Sequence, residues 1–440
     1  MMVSNQEGMQ MTATFIKRPL KSIVDKEALT YAKYSVEERA IPNLIDGMKP
    51  VHRFFLYSVM QSASTKFNKV AAIGGRVSEL GYHHGETSAA DSGALMASTW
   101  SNNLPIVEGD GNFGSRMIQE ASASRYVFAR LHENFHKYFK DTNLAPVHPD
   151  PEHLPPKFYL PIIPYVLVNG SFGIATGFRT DIPPHSVDSV VECVKQYITT
   201  GDCDEPRIQF PEFKGEIVQS EEECYMVGKY ELIGKTKLII TEIPYSYDRE
   251  KYVTVLDDLA ERDVIVRYED LCGEDDFEFE VTLKRDFKHD KIVDVFKLQQ
   301  NIPRNLVAIT HDRNVKVYEN TTQMLKEFVD YRMPFYDNRI QNELTKSSKA
   351  LELAEAKVLF IESVLDGSID LKGRTRLQTI NVIKTHEKLV DFADDLIKMN
   401  IYHLTTDEIK KLKQDITRIK KDVKYWNTTN SRKEYLNDLG

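Results

Sequence analysis

The residues best suited to chemistry close one stretch, residues 109–126 (GDGNFGSRMIQEASASRY), where Arg125 precedes Tyr126. A phenol is a poor nucleophile at neutral pH. An adjacent guanidinium stabilises its anion and presents a planar fork that matches phosphate oxygens. The pair therefore suits attack by a tyrosine on a phosphodiester. The glycine turn from Gly109 to Gly114 and the small residues Ala121 to Ser124 leave room for backbone or a polyanion to come close. The plain alternative makes Tyr126, one of 21 tyrosines, a core side chain on a helix flanked by Val127 and Phe128.

Three other motifs compete with this reading. Gly109, Gly111 and Gly114 spell G-x-G-x-x-G, with Glu133 near the distance of a ribose-binding acid. A dinucleotide unit needs a buried strand before the glycines and a second strand after the following helix. Only Pro105-Ile106-Val107 precedes them, and the run after Tyr126 and its neighbours, LHENFHKYFKD, is polar and helical in period. His132, Glu133 and His136 spell H-E-x-x-H, the zinc protease helix. Its longer form fails at Phe139 and Thr142, and the chain then runs into APVHPDPEHLPP where a helix-borne acid is required. A zinc metalloprotease stays as an alternative. The third motif, GKYELIGKT at 228–236, has one residue too many for a P-loop and leads into the strand-like KLIITEI, so it is rejected.

The bulk properties set the frame. The chain has 440 residues, enough for two to four domains. Its 41% hydrophobic and 28% charged residues are ordinary for a globular protein. Cys193, Cys203, Cys224 and Cys272 have neither metal nor redox spacing, which points to a reducing compartment such as the cytoplasm. No apolar run could span a bilayer, and no signal-peptide core opens the chain. A net charge of −9 argues against indiscriminate coating of nucleic acid. The charge is uneven, however. From Gly47 to Ser78 there is no acid, but Lys49, His52, Arg53, Lys66, Lys69 and Arg76 form a positive island.

The elements that must carry these residues follow from pattern. A polar tail covers 1–20, and a helix is expected from Lys26 to Glu38, ending before Pro42. A turn at Asp46-Gly47 leads to a helix with Pro50 in its first turn and Val51, Phe54, Leu56 and Val59 inward. Gly85-Glu86-Thr87 opens a helix rich in small residues. Short helices, a tight turn and a small-residue helix resemble a helix-turn-helix with a wing, which lays a helix end on DNA.

Taken in order, RAIPNLIDGMKPVHR, YHHGETSAADSGALM, GDGNFGS and ASASRYVFARL resemble the breakage–reunion half of type IIA topoisomerases, the gyrase A-like family. The likeness continues through PIIPYVLVNGSFGIATGFRTDIPPHS, PEFKGEI and ITEIPY and covers residues 21 to 435. It includes phage enzymes that carry this half as a separate chain. The resemblance implies that Tyr126 takes the broken DNA end, with Arg125 and Arg39 beside it in catalysis. It implies DNA contacts for Lys49, His52, Arg53 and His84, and makes Ile174 the residue that wedges between base pairs. Thr87 and Asp91 match positions that hold a drug-bound metal through water. Two departures stand out: Asp110 replaces a common glutamine before GNFGS, and no proline separates His83 from His84.

The rest of the chain fits independently. Residues 156–318 alternate apolar strands with turns and acidic loops, as in a β-rich arm. From Thr321 a 3,4 spacing runs from Leu325 and Val329 to Leu365, and a second runs from Ile409 to Trp426. An outgoing and a returning helix with a globule at 366–403 make an antiparallel coiled coil carrying a knob; the alternative is a helical bundle packed on the core. The expected fold is thus mixed α/β: a winged-helix DNA-cleavage domain at 21–155, a tower at 156–318, and a coiled coil with a dimerisation globule at 319–440.

The resemblance implies an ATP-dependent enzyme that acts on double-stranded DNA as a homodimer closed at the C-gate. No acidic Toprim triad or ATP site is legible, so ligands for Mg2+ and the ATP site are expected on a partner Toprim/ATPase subunit. The short stretch after the returning helix is expected to lack a DNA-wrapping domain, giving relaxation and decatenation without supercoiling. A non-enzymatic coiled-coil DNA-binding protein is the remaining alternative.

Overall fold

The computed structural model describes residues 20–220, 222–371, 373–400 and 404–440. The tail expected over 1–20 lies outside them except for Leu20. Residues 20–40 are helical, with π-helical stretches at Ile23–Ala28 and Val36–Ala40. The helix ends at Ile41, which is extended at ψ 132° as the residue before a proline prefers. The next turn is organised by buried Asp46, whose carboxylate accepts the Met48 and Tyr159 amides at 3.0 and 3.1 Å. Gly47 has φ +68°, and a Cβ there would lie 2.5 Å from the Val166 amide nitrogen, so only glycine fits.

Helix α1 (Pro50–Ser62) starts on its proline and buries Phe54, Phe55, Leu56 and Val59. Strand β1 (Asn68–Lys69) leads into α2 (Val70–Gly75), and α3 (Glu86–Ala97) packs against both helices. The small residues of α3 explain the closeness: a Cβ on Gly93 would collide with the Phe55 ring, and one on Gly74 of α2 would touch Ala90. Strands β2 (Val107–Asp110) and β3 (Phe128–Leu131) complete an antiparallel sheet ordered β1–β3–β2, followed by α4 (Glu133–Tyr138).

The hairpin β4 (Ser171–Ala175) and β5 (Phe178–Ile182) and helix α5 (Val187–Thr200) come next. The apolar cluster of the first region continues through Phe158–Val168, α5, Leu306 and Ala308. Residues between these segments form sheets of their own. They comprise β6 (Glu216–Gln219), β7 (Cys224–Val227), β8 (Lys229–Ile233), β9 (Lys237–Glu242), α6 (Arg249–Glu261), β10 (Ile265–Asp270), β11 (Phe279–Leu283) and β12 (Gln299–Asn301). The sheet β10–β11–β9–β8 packs under α6 around Leu238, Ile240, Tyr252, Leu256 and Phe279, while β12–β7–β6 stands beside it. These sheets thus have an apolar cluster of their own, which also takes in Met117 from the 109–126 stretch. The chain returns to the body by β13 (Val307–Ile309) and β14 (Val315–Val317).

Helix α7 (Thr321–Leu365) runs 45 residues, about 67 Å at 1.5 Å per residue. The 3,4 spacing read as one rod divides into two. Met324, Leu325, Phe328, Val329 and Tyr336 pack on the body, whereas Ala354, Val358 and Ile361 are buried farther out. The first turns therefore follow the packed-bundle alternative. Beyond a small globule that includes α8 (Arg376–Lys384), helix α9 (Thr406–Thr428) runs back beside α7. Ion pairs Lys413–Glu362 at 2.9 Å and Lys420–Glu355 at 2.8 Å fix the antiparallel sense. The stretch read as a short tail contains a capped helix, α10 (Ser431–Leu439), whose Tyr435 is buried and stacked 4.4 Å from Tyr336.

Candidate functional site

Tyr126 sits in a tight turn just before β3, with its amide donating to the Ala123 carbonyl at 2.8 Å. Val127 and Ala129 alternate into the core, which turns Tyr126 outward; its side chain is 65% exposed. The reading of a core tyrosine on a helix is overturned. The turn is held from both sides by the first amides of α2: Ala71 donates to the Ser124 carbonyl and Val70 to that of Val127, both at 3.0 Å. Arg125 is exposed and lays its guanidinium 4.6 Å from the centre of the Tyr126 ring.

The glycine turn packs alongside. Gly111 and Gly114 have φ +110° and +80°, and the Trp100 indole donates to the Phe113 carbonyl at 3.2 Å. Ser122 donates its amide to the Asn112 carbonyl, tying this loop to the segment that reaches Tyr126. No helix lies between the glycines and β3, so no helix N-terminus adjoins them for a dinucleotide pyrophosphate. Asp110 ends β2, is exposed, and pairs with Phe128, two residues past the tyrosine.

Among the basic-island residues the structure makes distinctions invisible in composition. Arg53 gives a fork of bonds to buried Asp46 at 2.6 and 3.1 Å and donates to the Met48 carbonyl at 2.7 Å. Its charge is thus matched inside the chain, and it braces the Asp46–Gly47 turn. His52 caps α1 by accepting the Lys49 amide at 3.4 Å. Desolvation, then the charges of Lys49 and Arg53, push its pKa down to about 3, so the ring is neutral at physiological pH. Lys49 donates its ammonium to the Phe172 carbonyl at 2.7 Å, and burial lowers its pKa. Lys66, Lys69 and Arg76 are exposed or half-buried.

Arg39 is exposed at the end of the first helix and, among the described residues, has no ion-pair partner. His84 bonds through Nε2 to the Tyr34 hydroxyl at 2.6 Å and packs edge-on against Tyr82 at 5.3 Å. Thr87 and Asp91 lie one turn apart on the exposed side of α3, directly after His84.

Ile174 lies in β4 opposite Arg179 and is 67% exposed, with Phe172 and Phe178 also exposed. An apolar tip in water is the uncommon observation here. The hairpin docks on the end of the first helix, where a Cβ on Gly173 would lie 2.0 Å from the Ala40 carbonyl oxygen.

The rival motifs have structural roles. His132 caps the six-residue α4, accepting the Asn134 amide at 3.0 Å through Nδ1. Among the described residues no group of three His, Cys, Asp or Glu side chains converges as a metal ion requires. His132, Glu133 and His136 therefore do not assemble a zinc site. The P-loop-like run is the β8–β9 hairpin, with Gly234 at φ +67° in its turn.

Residues that pattern did not reveal are Asp46, Tyr34, and a histidine cluster beside them. His148 and His153 lie 4.4 Å apart, with His83 at 5.9 Å from His153, around a cavity of about 310 Å³. The only signal for Asp46 was its place before Gly47 in a run otherwise free of acid.

With the geometry in place, comparison with known proteins decides the family. The family model for the DNA gyrase/topoisomerase IV A-subunit matches residues 39–439. This chain belongs to that family. The DNA topoisomerase medium subunit of Enterobacteria phage T4 is 45% identical, over 96% of this chain and 98% of that protein. The topoisomerase 4 A-subunit of Staphylococcus epidermidis is 27% identical over 90% of this chain, which spans only 54% of that protein. The solved DNA-binding, cleavage and re-ligation domain of Plasmodium falciparum topoisomerase II superposes with a TM-score of 0.85. It is 25% identical over 94% of this chain and 63% of that one. The chain is thus a gyrase/topoisomerase IV A-subunit family member with the mixed α/β fold of a type II topoisomerase cleavage domain. A metalloprotease and a purely structural coiled-coil protein are not supported. No helix among the described residues is long and apolar enough to cross a membrane.

Proposed function

We propose that this chain is the DNA-cleaving and resealing subunit of an ATP-dependent type II topoisomerase, with Tyr126 as the nucleophile. The observation that carries this is an exposed tyrosine held beside a guanidinium on a turn pinned by helix and strand. The Tyr126 oxygen attacks a backbone phosphorus, a phosphotyrosine ester forms, and the sugar hydroxyl leaves. One ester replaces another, so the same hydroxyl reverses the step without an energy source. Arg125 stabilises the charge on the phosphate, and Arg39 stands ready for a second oxygen. Two copies about a two-fold axis place one Tyr126 on each strand.

The surrounding parts fit this reading. Helices α1–α3 with the β1–β3–β2 sheet serve as a winged-helix cleavage domain, and the separate β-rich arm as a tower along the duplex. His84 and the exposed lysines face phosphates, and Ile174 enters a base step and bends the duplex. Thr87 and Asp91 mark a drug-facing helix. The α7–α9 pair is a coiled coil whose globule closes the C-gate of a homodimer. The T4 relative is named a medium subunit, which supports a multi-chain enzyme. The partner then supplies the Mg2+ ligands and the ATP site, and the assembled enzyme passes a second duplex through the break, for relaxation and decatenation in the cytoplasm.

The test is end-labelled duplex DNA incubated with this chain and its partner subunit, trapped with detergent and run on a denaturing gel. Protein-linked DNA that disappears in Tyr126→Phe supports the proposal. Linked DNA that persists in that variant sinks it.

A further inference from the structure

The resemblance makes Lys49 a DNA contact, but its ammonium is bonded to a backbone carbonyl of this chain. We infer that Lys49 is a positioning residue for the Ile174 hairpin, strapping the N-terminus of α1 to the backbone of β4. The inference rests on the reading of Ile174 as a wedge. The Lys49 ammonium donates to the Phe172 carbonyl at 2.7 Å. Phe172 and Ile174 are two apart on one strand and share a face, so the strap grips the segment that carries the apolar tip.

A second feature on the same few residues supports a built joint. A Cβ added to Gly173 would stand 2.0 Å from the Ala40 carbonyl oxygen and 3.4 Å from the Lys49 ammonium. The helix end at Ala40, the turn into α1 and the hairpin thus meet around one glycine. The other strand of the hairpin has separate ties, at the residues paired with Gly173 and Phe172: Thr180 donates its hydroxyl to the Val307 carbonyl at 2.8 Å, and Asp181 exchanges backbone bonds with Asn305. These ties hold β5 to the body; β4 is paired to β5 and packs Ala175 on the Val36–Ile41 cluster, and Lys49 is the side chain that donates a hydrogen bond to its backbone at Phe172. A two-stranded hairpin is marginal alone. A wedge that must stay put against stacked bases needs its inserting strand braced, and Lys49 braces it.

The half-burial of Lys49, which lowers its pKa by desolvation, agrees. A lysine serving only as a phosphate contact gains from a free, hydrated head. Arginine can also donate to a carbonyl at this reach, while methionine keeps the stem and removes the donor.

The experiment uses the full chain in complex with its partner. The duplex carries a dye at each end, and bending is read by energy transfer, binding by salt titration. Ile174→Ala serves as the reference for a lost wedge. Lys49→Met should lower the bent fraction several-fold, as Ile174→Ala does, with the slope of log affinity against log salt unchanged. Lys49→Arg should restore bending, which general damage to the fold would not allow, and melting temperatures of all three should match the parent. A salt slope that falls by about one unit in Lys49→Met makes Lys49 a phosphate contact and overturns the inference. Unchanged bending in Lys49→Met, with Ile174→Ala impaired, overturns it while leaving the wedge in place. Normal bending in Ile174→Ala removes the wedge reading itself, and the inference with it.

Discussion

Arg125 lies over the face of the Tyr126 ring, its guanidinium carbon 4.6 Å from the ring centre, with both side chains open to solvent. The contact keeps a positive charge beside the phenol without occupying its hydroxyl. Tyr126→Phe keeps the ring and this contact and removes only the attacking oxygen. The expected result is loss of all covalent DNA adduct with melting temperature and DNA affinity within error of the parent. Arg125→Ala should cut adduct formation by about 10²-fold or more through lost stabilisation of phosphate charge, the scale of one preorganised donor. Quantified adduct on a denaturing gel decides both, and adduct from Tyr126→Phe would remove Tyr126 from the chemistry.

The Gly173 contact gives a second prediction. A methyl group there would press to 2.0 Å from the Ala40 carbonyl oxygen, and backbone cannot yield as a flexible side chain can. Gly173→Ala should therefore displace the hairpin and impair bending and cleavage together while Tyr126 stays intact. The measurement is adduct yield on intact duplex against yield on a duplex already nicked or gapped at the bend. If bending is the lost step, flexible DNA should recover cleavage several-fold more in the variant than in the parent. Equal recovery in the two proteins would refute a bending defect.

Much of the site was legible in the sequence, because backbone requirements leave residue signatures. Gly111 and Gly114 marked a turn with positive φ, Pro42 marked the end of the first helix, and Gly85 the start of α3. Charge partnership was not legible. Lys49, His52 and Arg53 read alike as a basic island, yet one reaches Phe172, one is a neutral cap and one is matched by Asp46. Such differences depend on contacts far apart in the chain, and composition carries no record of them. The long helix shows the same limit. A 3,4 spacing reports that one face is covered, but the first turns of α7 are covered by the body and the later ones by the α9 side. The capped α10 escaped notice because its nine residues are mostly polar, and of its two buried residues, Glu434 and Tyr435, only one is apolar in bulk.

The root of α7 carries a buried charge network that predicts a large stability effect. Asp141 accepts from Arg339 at 2.7 Å through both Nε and Nη2, and it also pairs with Arg332, which has no exposure. Asp438 of α10 takes the remaining Arg339 donor at 2.6 Å and the Tyr336 hydroxyl at 3.0 Å. Removing one partner of a buried pair leaves an uncompensated charge, which costs about 3–5 kcal/mol. Asp141→Ala should therefore lower unfolding free energy by about that amount, and Asp438→Ala, at a more exposed site, by less. Chemical denaturation of the two variants checks the order. An Asp141→Ala protein as stable as the parent would show that the network contributes little.

His185 predicts how stability responds to acid. The ring is fully buried, and Nδ1 lies 2.9 Å from the Leu167 carbonyl oxygen, so that nitrogen carries the proton of the neutral form. Nε2 is buried with no hydrogen-bond partner, so a second proton would have nowhere to be shared. Desolvation pushes the pKa down to about 4, against about 6.5 for a histidine in water. Between those two values the unfolded chain takes up a proton that the folded chain refuses. The stability tied to His185 is therefore complete above about pH 6.5 and is lost as pH falls towards 4, at about 1.4 kcal/mol per unit for full linkage. His52, also pushed low, adds a loss of the same sign and extends it to about pH 3. His185→Gln retains an amide donor but cannot titrate. Its stability deficit against the parent should be largest at pH 7.5 and should narrow by about 2 kcal/mol at pH 5. Urea denaturation of both proteins at the two pH values measures the gap. A gap that is the same at both would mean that His185 takes a proton in the folded state as readily as in the unfolded one, against the buried and unpartnered setting of Nε2.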